Sequence, residues 1–259
     1  MDYAFTAEEE AFRHDLCEFL AQEFPPDHWR LQSDREEGSE GSPEFQRVFS
    51  KKLSARGWLT LHWPKEYGGL EASHMQQMIF TAEMNYAMAP NGGMGVWMAG
   101  PTLMHHGNDA QKAKHLAAIA SGDEVWCQGF SEPGSGSDLA SLQARAVLDG
   151  DDYVVNGQKI WTSGAHTADW CMLLVRTDPD APKHRGISYL LMDMKTPGVQ
   201  LRPLINMLGS HAFNELFLED VRIPRANLVG EENRGWYVAT TTLDFERSGI
   251  GRTMWGQRL

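Results

Sequence analysis

DGDDYVVNGQKIWTSGA, residues 149–165, is the stretch of sequence that decides the fold. It holds two dipeptides typical of tight hairpin turns, Asp149-Gly150 and Asn156-Gly157, around a run of strand-forming residues. Strands joined by such short turns pair antiparallel, with no helix between them. The stretch therefore predicts a β domain built from hairpins.

The residues that follow continue this pattern. Apolar and polar residues alternate at 199–202 and again at 215–219, and Pro and Gly separate the short runs between them. Because no helix is interposed, an antiparallel sandwich or barrel is favoured over a doubly wound sheet. We predict a middle β domain over residues 123–232.

The residues before this domain have helical spacing instead. Thr6 and Glu9 form a capping box before an apolar face, and that helix is expected to end near Pro25-Pro26, followed by a solvated loop to Pro43. Four or five helices are predicted through residue 122. The fold class is therefore α+β, with a helical amino-terminal domain over 1–122 and, over 233–259, the first helix of an incomplete carboxy-terminal helical domain.

Composition and charge exclude several classes of function. The 259 residues carry 23 Lys and Arg against 35 Asp and Glu, a formal net charge of -12 that disfavours nucleic acid as a partner. The longest apolar run, Trp170 to Val175, is far shorter than the roughly 18 residues of a membrane span. MDYAFTAEEE lacks the features of a signal peptide, so a cytoplasmic location is expected.

The sequence contains no motif typical of a metal site or of a serine hydrolase. The three cysteines form no CxxC pair, the ten histidines form no HExxH signature, and no GxSxG elbow occurs. We therefore expect no metal site and no disulfide framework.

The Gly-rich segment QGFSEPGSGSDLA, Gln128 to Ala140, is the densest local signal. Gly134 and Gly136 allow a backbone to approach a ligand closely, and the serines supply hydroxyls, which together resemble a phosphate cradle. Leu139 replaces the third glycine of GxGxxG, and no Walker lysine follows. An ordinary turn is the alternative interpretation.

Two further segments have both a functional and an ordinary interpretation. In IWTSGAH, Trp161 either stacks on a flat heterocycle, with Ser163 donating a hydrogen bond, or is a core tryptophan at a strand end. In LDFER, Glu246 either faces a cleft as a general base or is solvated, while Asp244 and Arg247 either hold a ligand or pair on the helix surface.

The order and spacing of seven segments resemble one family. These segments are WPKEYGG, GNDAQKAKHLAAIASGDEVW, QGFSEPGSGSDLASL, VNGQKIWTSGAHTADW, GISYLLMDMKTPGV, DVRIPRANLVGEENRGW and LDFER. Along essentially the whole chain, the sequence resembles the flavin-dependent acyl-CoA dehydrogenases. The resemblance implies FAD held between the middle and last domains and α,β-desaturation of an acyl-CoA thioester in lipid metabolism.

The resemblance also implies residue roles. The cofactor-binding residues would be Gln128, Phe130, Ser131, Gly136, Ser137, Trp161, Thr162 and Ser163. Ser137, Asp244 and Arg247 would contact the acyl-CoA substrate, and Glu246 would be the catalytic base. An electron-transfer flavoprotein or a similar acceptor and a homo- or hetero-oligomeric assembly are the implied partners.

The sequence departs from the family in its length. Most members are longer, and many carry the catalytic glutamate in the carboxy-terminal domain, whereas a minority carry it where Glu246 stands. The missing region leads us to expect exposed apolar groups and weak or absent flavin binding. Two alternatives therefore stay open: a non-catalytic subunit of a heteromeric dehydrogenase, and a flavin oxidase or monooxygenase on the same scaffold.

Overall fold

The computed structural model describes residues 4–24, 43–207 and 209–250 of the chain. The solvated loop predicted between Pro25 and Pro43 lies outside the described residues, as does the end of the chain after Ile250. Within the described ranges, no helix is both long and apolar enough to cross a bilayer.

The amino-terminal region is helical, as the sequence predicts. Its helices are α1 (Ala7–Glu23), α2 (Pro43–Ala55), α3 (His74–Ala87), α4 (Gly100–His106) and α5 (Asp109–Ala120). Capping boxes begin three of them, with Thr6, Ser73 and Asn108 as the N-cap residues. A π-helical turn, Gly95–Ala99, leads directly into α4. These five helices confirm the prediction of four or five through residue 122.

The core of this region fixes where α4 lies. The Trp63 indole is buried and donates its Nε1–H to the carbonyl of Val96, 3.1 Å away. A Cβ on Gly100 would lie 2.1 Å from Cζ2 of Trp63, so only glycine lets the two elements pack this closely. On α3, Phe80 and Met84 face this core.

The second region is one mixed eight-stranded sheet. Its strands are β1 (Trp126–Gly129), β2 (Arg145–Asp149), β3 (Asp152–Lys159), β4 (Trp170–Arg176), β5 (Ile187–Asp193), β6 (Val199–Ile205), β7 (His211–Pro224) and β8 (Leu228–Val229). Their order is β6-β7-β3-β2-β4-β5-β8, and β1 pairs with β4. The β1–β4 and β2–β4 pairs are parallel and the others antiparallel. The predicted order of helices, β domain and final helix is confirmed.

The prediction of a hairpin turn is wrong at one of the two positions. β2 and β3 do form a hairpin, in which Asp149 pairs with Asp152 around a two-residue turn. Asn156-Gly157, by contrast, lies inside β3, at a bulge where the register with β7 shifts. Gly157 has a φ of 155°, and a Cβ there would lie 2.6 Å from Cα of Ala144. The glycine therefore serves a close backbone approach, not a chain reversal.

The sheet curls around a second core. Buried side chains from β3 and β7 meet others from β4 and β5, so both ends of the sheet contribute to one apolar interior. Its members include Tyr153, Val155, Leu173, Leu190, Leu216 and Ile223. The final helix, α6 (Gly235–Ile250), packs outside this sheet against β5 and α4.

Candidate functional site

The two motif segments around residues 131 and 160 meet in space. The backbone N–H of Ile160 donates to the carbonyl of Ser131 at 3.0 Å. One residue earlier, Nζ of Lys159 donates to the carbonyl of Phe130 at 3.1 Å. The Gly-rich segment and the IWTSGAH segment therefore line one region of the surface.

The Gly-rich segment forms an exposed loop with a fixed base. Glu132 and Ser135 exchange backbone hydrogen bonds of 2.8 and 3.0 Å, while Gly136 and Ser137 are exposed. A Cβ on Gly136 would meet no atom within 4 Å. Protein packing therefore does not explain this glycine, and the space beside it is free to receive a ligand.

Trp161 is not a core residue. Its side chain is 61% exposed, and its backbone has a φ of 60°, a left-handed conformation that is unusual for a bulky residue. The indole makes an edge-on contact with Phe213, whose ring centroid is 5.9 Å away. The interpretation as a core tryptophan is therefore wrong, and a strained backbone presents a flat apolar face to the outside.

Thr162 carries a buried hydroxyl with no partner. Its side chain is fully buried, and Oγ1 makes no hydrogen bond to the residues that the structure describes. A buried hydroxyl without a partner costs free energy, so a ligand that supplies an acceptor or donor here would be stabilised. Ser163 beside it is half-buried.

Asn214 of β7 holds the Thr162 backbone in place. Backbone hydrogen bonds run in both directions between the two residues, at 3.0 and 3.1 Å, and Nδ2 of Asn214 also donates to the Thr162 carbonyl. The same amide donates to Nδ1 of His166 at 3.1 Å and accepts from Nε2 of His211 at 2.8 Å. The two imidazole rings stack, with centroids 3.9 Å apart.

Replacing Asn214 by alanine should destabilise the protein by about 2 kcal/mol, because it removes three side-chain hydrogen bonds made from a fully buried position. Asn156→Ala is the control, since Asn156 is exposed and its side chain bonds only to Asp220 in the contacts described. We expect that control to cost less than about 1 kcal/mol. Urea denaturation measures both, and an equal loss in the two variants would contradict this role for Asn214.

Glu246 faces the strand that enters the Gly-rich loop. It is half-buried on α6, and its Oε2 lies 3.5 Å from Nε2 of Gln128 on β1. Asp244 and Arg247 are both exposed on the same helix, with Nη1 of Arg247 3.8 Å from Oδ1 of Asp244. Such an exposed pair is weak, so either side chain can reorient toward a ligand at little cost.

Buried hydroxyls fix α6 beside the site. Oγ1 of Thr242, one turn before Glu246, lies 2.9 Å from Oγ1 of Thr102 on α4 and 3.3 Å from the Tyr189 hydroxyl on β5. Burial raises the pKa of Tyr189, so the phenol stays protonated as a donor. The Tyr189 ring also packs edge-on against Phe130, which is buried.

The structure adds polar residues that the sequence analysis did not single out. Glu132, Lys159 and Arg176 support the Gly-rich loop, and Asn214 supports Thr162. Arg176 ends the otherwise apolar strand β4, which was the one signal available in the sequence. Glu132 and Lys159 lie beside polar residues and give no such signal. Among residues with described positions, no group of three or more His, Cys, Asp or Glu is suited to hold a metal ion.

Comparison with known proteins gives one consistent result. Residues 6–123 match the family model for the acyl-CoA dehydrogenase N-terminal domain, and residues 127–221 match the model for the middle domain. The chain is 41% identical to acyl-CoA dehydrogenase FadE29 of Mycobacterium tuberculosis over 95% of its length, and 32% identical to mitochondrial isovaleryl-CoA dehydrogenase of Pongo abelii over 93%. It spans 62% and 57% of these relatives, respectively.

Solved structures agree with these matches. The Tcur3481-Tcur3483 steroid ACAD superposes with a TM-score of 0.87 at 40% identity, covering 98% of this chain and 65% of that one. The ChsE4-ChsE5 complex from Mycobacterium tuberculosis superposes with a TM-score of 0.82 at 41% identity, covering 95% of this chain and 61% of that one.

Proposed function

Because the chain belongs to the acyl-CoA dehydrogenase family, we propose that it acts in the FAD-dependent α,β-desaturation of an acyl-CoA thioester. One observation carries the proposal: the Ser131 and Ile160 segments are joined by a hydrogen bond beside an exposed indole and a buried hydroxyl without a partner. A flat, polar-edged cofactor satisfies both features.

The residues present fit FAD. The Trp161 indole offers a flat apolar surface to the flavin ring, and Oγ1 of Thr162 needs a partner of the kind that the ring's polar edge provides. The exposed loop at Gly136 and Ser137 has room for the phosphates. We assign Ser163, which follows Thr162, to the same site, together with Gln128, Phe130 and Ser131, which lead into the Gly-rich loop and adjoin the 159–160 segment through hydrogen bonds.

In the proposed reaction, FAD and the protein side chains would have separate roles. Bound FAD would supply the acceptor for the β-hydrogen, which leaves as hydride. The Glu246 carboxylate would remove the α-proton, and the Gln128 amide beside it would orient that carboxylate. Ser137, Asp244 and Arg247 would hold the CoA portion, and an electron-transfer flavoprotein or a similar acceptor would reoxidise the enzyme. α6 would hold the Glu246 carboxylate in a fixed position beside the Gly-rich loop, because Thr242 hydrogen-bonds that helix to α4 and β5.

A second candidate is a partner subunit of a heteromeric dehydrogenase. Two solved structures at 40% and 41% identity, the Tcur3481-Tcur3483 steroid ACAD and the ChsE4-ChsE5 complex, are each named for two proteins. In this role the chain would desaturate its substrate only together with a second chain. Because one of these similar proteins is a steroid ACAD, a bulky polycyclic acyl-CoA is the first substrate to test.

Anaerobic titration of the flavin-loaded protein tests both candidates. We expect the visible flavin absorbance to bleach on addition of an acyl-CoA from a series of straight, branched and polycyclic chains. Bleaching that requires a second chain would favour the heteromeric role, and rapid reoxidation by oxygen would favour an oxidase. Flavin that stays oxidised with every thioester, with and without candidate partner chains, would contradict the proposed reaction.

A further inference from the structure

A buried ion pair lies beneath the Gly-rich loop, and the proposed reaction makes no use of its charge. Lys159 is 0% exposed, and its Nζ lies 2.8 Å from Oε1 of Glu132, itself 8% exposed. Burial lowers the pKa of Lys159, and the attraction to Glu132 opposes that shift. Burying two charges carries a desolvation cost that apolar residues of similar volume would avoid.

The Glu132 carboxylate joins the two ends of the loop. Oε2 accepts the backbone N–H of Gln143 at 2.6 Å, and Oε1 accepts that of Ala144 at 2.8 Å, in addition to the lysine. Glu132 stands at the start of the loop and residues 143 and 144 stand at its end. A single carboxylate therefore closes the base of the segment that carries Gly136 and Ser137.

Lys159 connects this closed base to the second motif. Its Nζ donates to the carbonyl of Phe130 as well as to Glu132, and the next residue, Ile160, donates its N–H to Ser131. Arg176 of β4 adds a second buried cation, which donates to the carbonyls of Ala140 and Leu142 at 2.6 and 3.3 Å. Both sides of the loop are thus anchored by cations, while its tip stays exposed.

We propose that Glu132 and Lys159 are positioning residues that close the base of the ligand loop, residues 132–144, and hold it in its flavin-binding shape before the cofactor arrives. The inference rests on the proposed function for the identity of the ligand. The closure itself follows from the hydrogen bonds of the chain. An apolar pair could fill the same volume, but it could not accept two backbone N–H groups from the far end of the loop.

Hydrogen–deuterium exchange of the flavin-free protein tests the closure directly. The variants are Glu132→Gln, Lys159→Met and the double variant, with Glu124→Gln as the control. Glu124 is a partly buried carboxylate paired with the buried His115 outside the loop. We expect peptides covering 132–144 to exchange at least about tenfold faster in both single variants, and β4 and β5 to exchange as in the wild type. The control should not change exchange in the loop.

FAD affinity supplies a second readout. We expect each single variant to bind FAD at least about tenfold more weakly, and the double variant to recover part of that loss because no unpaired charge stays buried. Loop exchange at the wild-type rate in Glu132→Gln would overturn the proposal, as would faster exchange over the whole sheet, which would indicate a merely structural pair. If Lys159→Met does not fold, exchange in Glu132→Gln and in the double variant decides whether the pair closes the loop.

These readouts separate the two proposals. A wild-type protein that fails to bind FAD both alone and with candidate partner chains would contradict the proposed function, whereas the exchange rates of residues 132–144 would still decide whether Glu132 and Lys159 close the loop.

Discussion

Glu246→Gln is expected to slow acyl-CoA-dependent flavin reduction by about 10²- to 10⁴-fold, the range that a positioned general base contributes. The carboxylate is half-buried on α6 and faces the Gln128 amide, whose strand leads into the ligand loop. Glutamine keeps the size of the side chain and can still bond to Gln128, but it cannot accept the α-proton. Binding of FAD and of a substrate analogue should therefore stay close to wild type.

The readout is single-turnover bleaching of the flavin under anaerobic conditions, alongside the affinity for a non-reactive thioether analogue. Glu219→Gln is the control, since Glu219 is exposed on β7 and its Oε2 contacts only Gln200 in the bonds described. The control should reduce its flavin at the wild-type rate. Full activity in Glu246→Gln would assign the base to another residue, and loss of FAD binding would instead give Glu246 a role in the cofactor site.

The order of elements was predictable because it depends on local patterns. Capping boxes and turn residues act over three or four positions, and the structure has them at Thr6, Asn108 and Asp149. The meeting of the segments around 131 and 160 was predictable only through the family resemblance. Nothing in the spacing of the two segments by itself requires Ile160 to donate to Ser131.

The bulge at Asn156-Gly157 shows where local reasoning fails. The dipeptide is typical of a tight turn, but here the Asn156 side chain accepts from the backbone N–H of Asp220 and donates to its carboxylate. These bonds cross to β7, 64 residues later in the chain, and convert the dipeptide into an irregularity within a strand. A turn signal therefore specifies a backbone shape, and the neighbouring strand decides how that shape is used.

The sequence predicts a helix at α3 but does not decide which of its faces is buried. Met75, Met78 and Tyr86 have helical spacing, yet they are 39%, 51% and 55% exposed, while Phe80 and Met84 are buried. Apolar residues surround more than one side of this helix, so periodicity predicts the helix but does not decide which stripe packs. Packing against α1 and the rest of the amino-terminal core buries Phe80 and Met84.

The polar supports of the site could not be predicted from the sequence. Glu132 and Lys159 are 27 residues apart, and Asn214 lies 52 residues from Thr162. Buried polar residues are stable only when their partners are in place, and those partners are set by tertiary packing. Residue type alone favours an exposed position for each of the three.

Gly235→Ala is expected to destabilise the protein by about 3 kcal/mol, at the upper end of the range for an overpacked site. Gly235 is the first residue of α6, and a Cβ there would lie 2.5 Å from the carbonyl carbon of Ser188 and from the backbone nitrogen of Tyr189. Both atoms belong to the backbone of β5, which pairs with two strands and cannot move as a flexible side chain would.

The substitution has two opposing effects on the free energy of unfolding, and the larger of them decides whether the protein becomes less stable. Alanine raises helix propensity by at most about 1 kcal/mol relative to glycine, and less at the first position of a helix. The contact with β5 costs more, so α6 must shift and the Thr242–Tyr189 contact must weaken. Since Glu246 lies on the same helix, flavin reduction should fall together with stability.

Urea denaturation of Gly235→Ala and Gly134→Ala measures how much unfolding free energy each variant loses. Gly134 is the matched control, because a Cβ there would meet no atom within 4 Å and the change should stay within about 0.5 kcal/mol. An unchanged or raised stability in Gly235→Ala would mean that α6 can move away from β5 without cost. In that case the close packing of α6 on β5 would not be the cause of the position of Glu246 opposite Gln128.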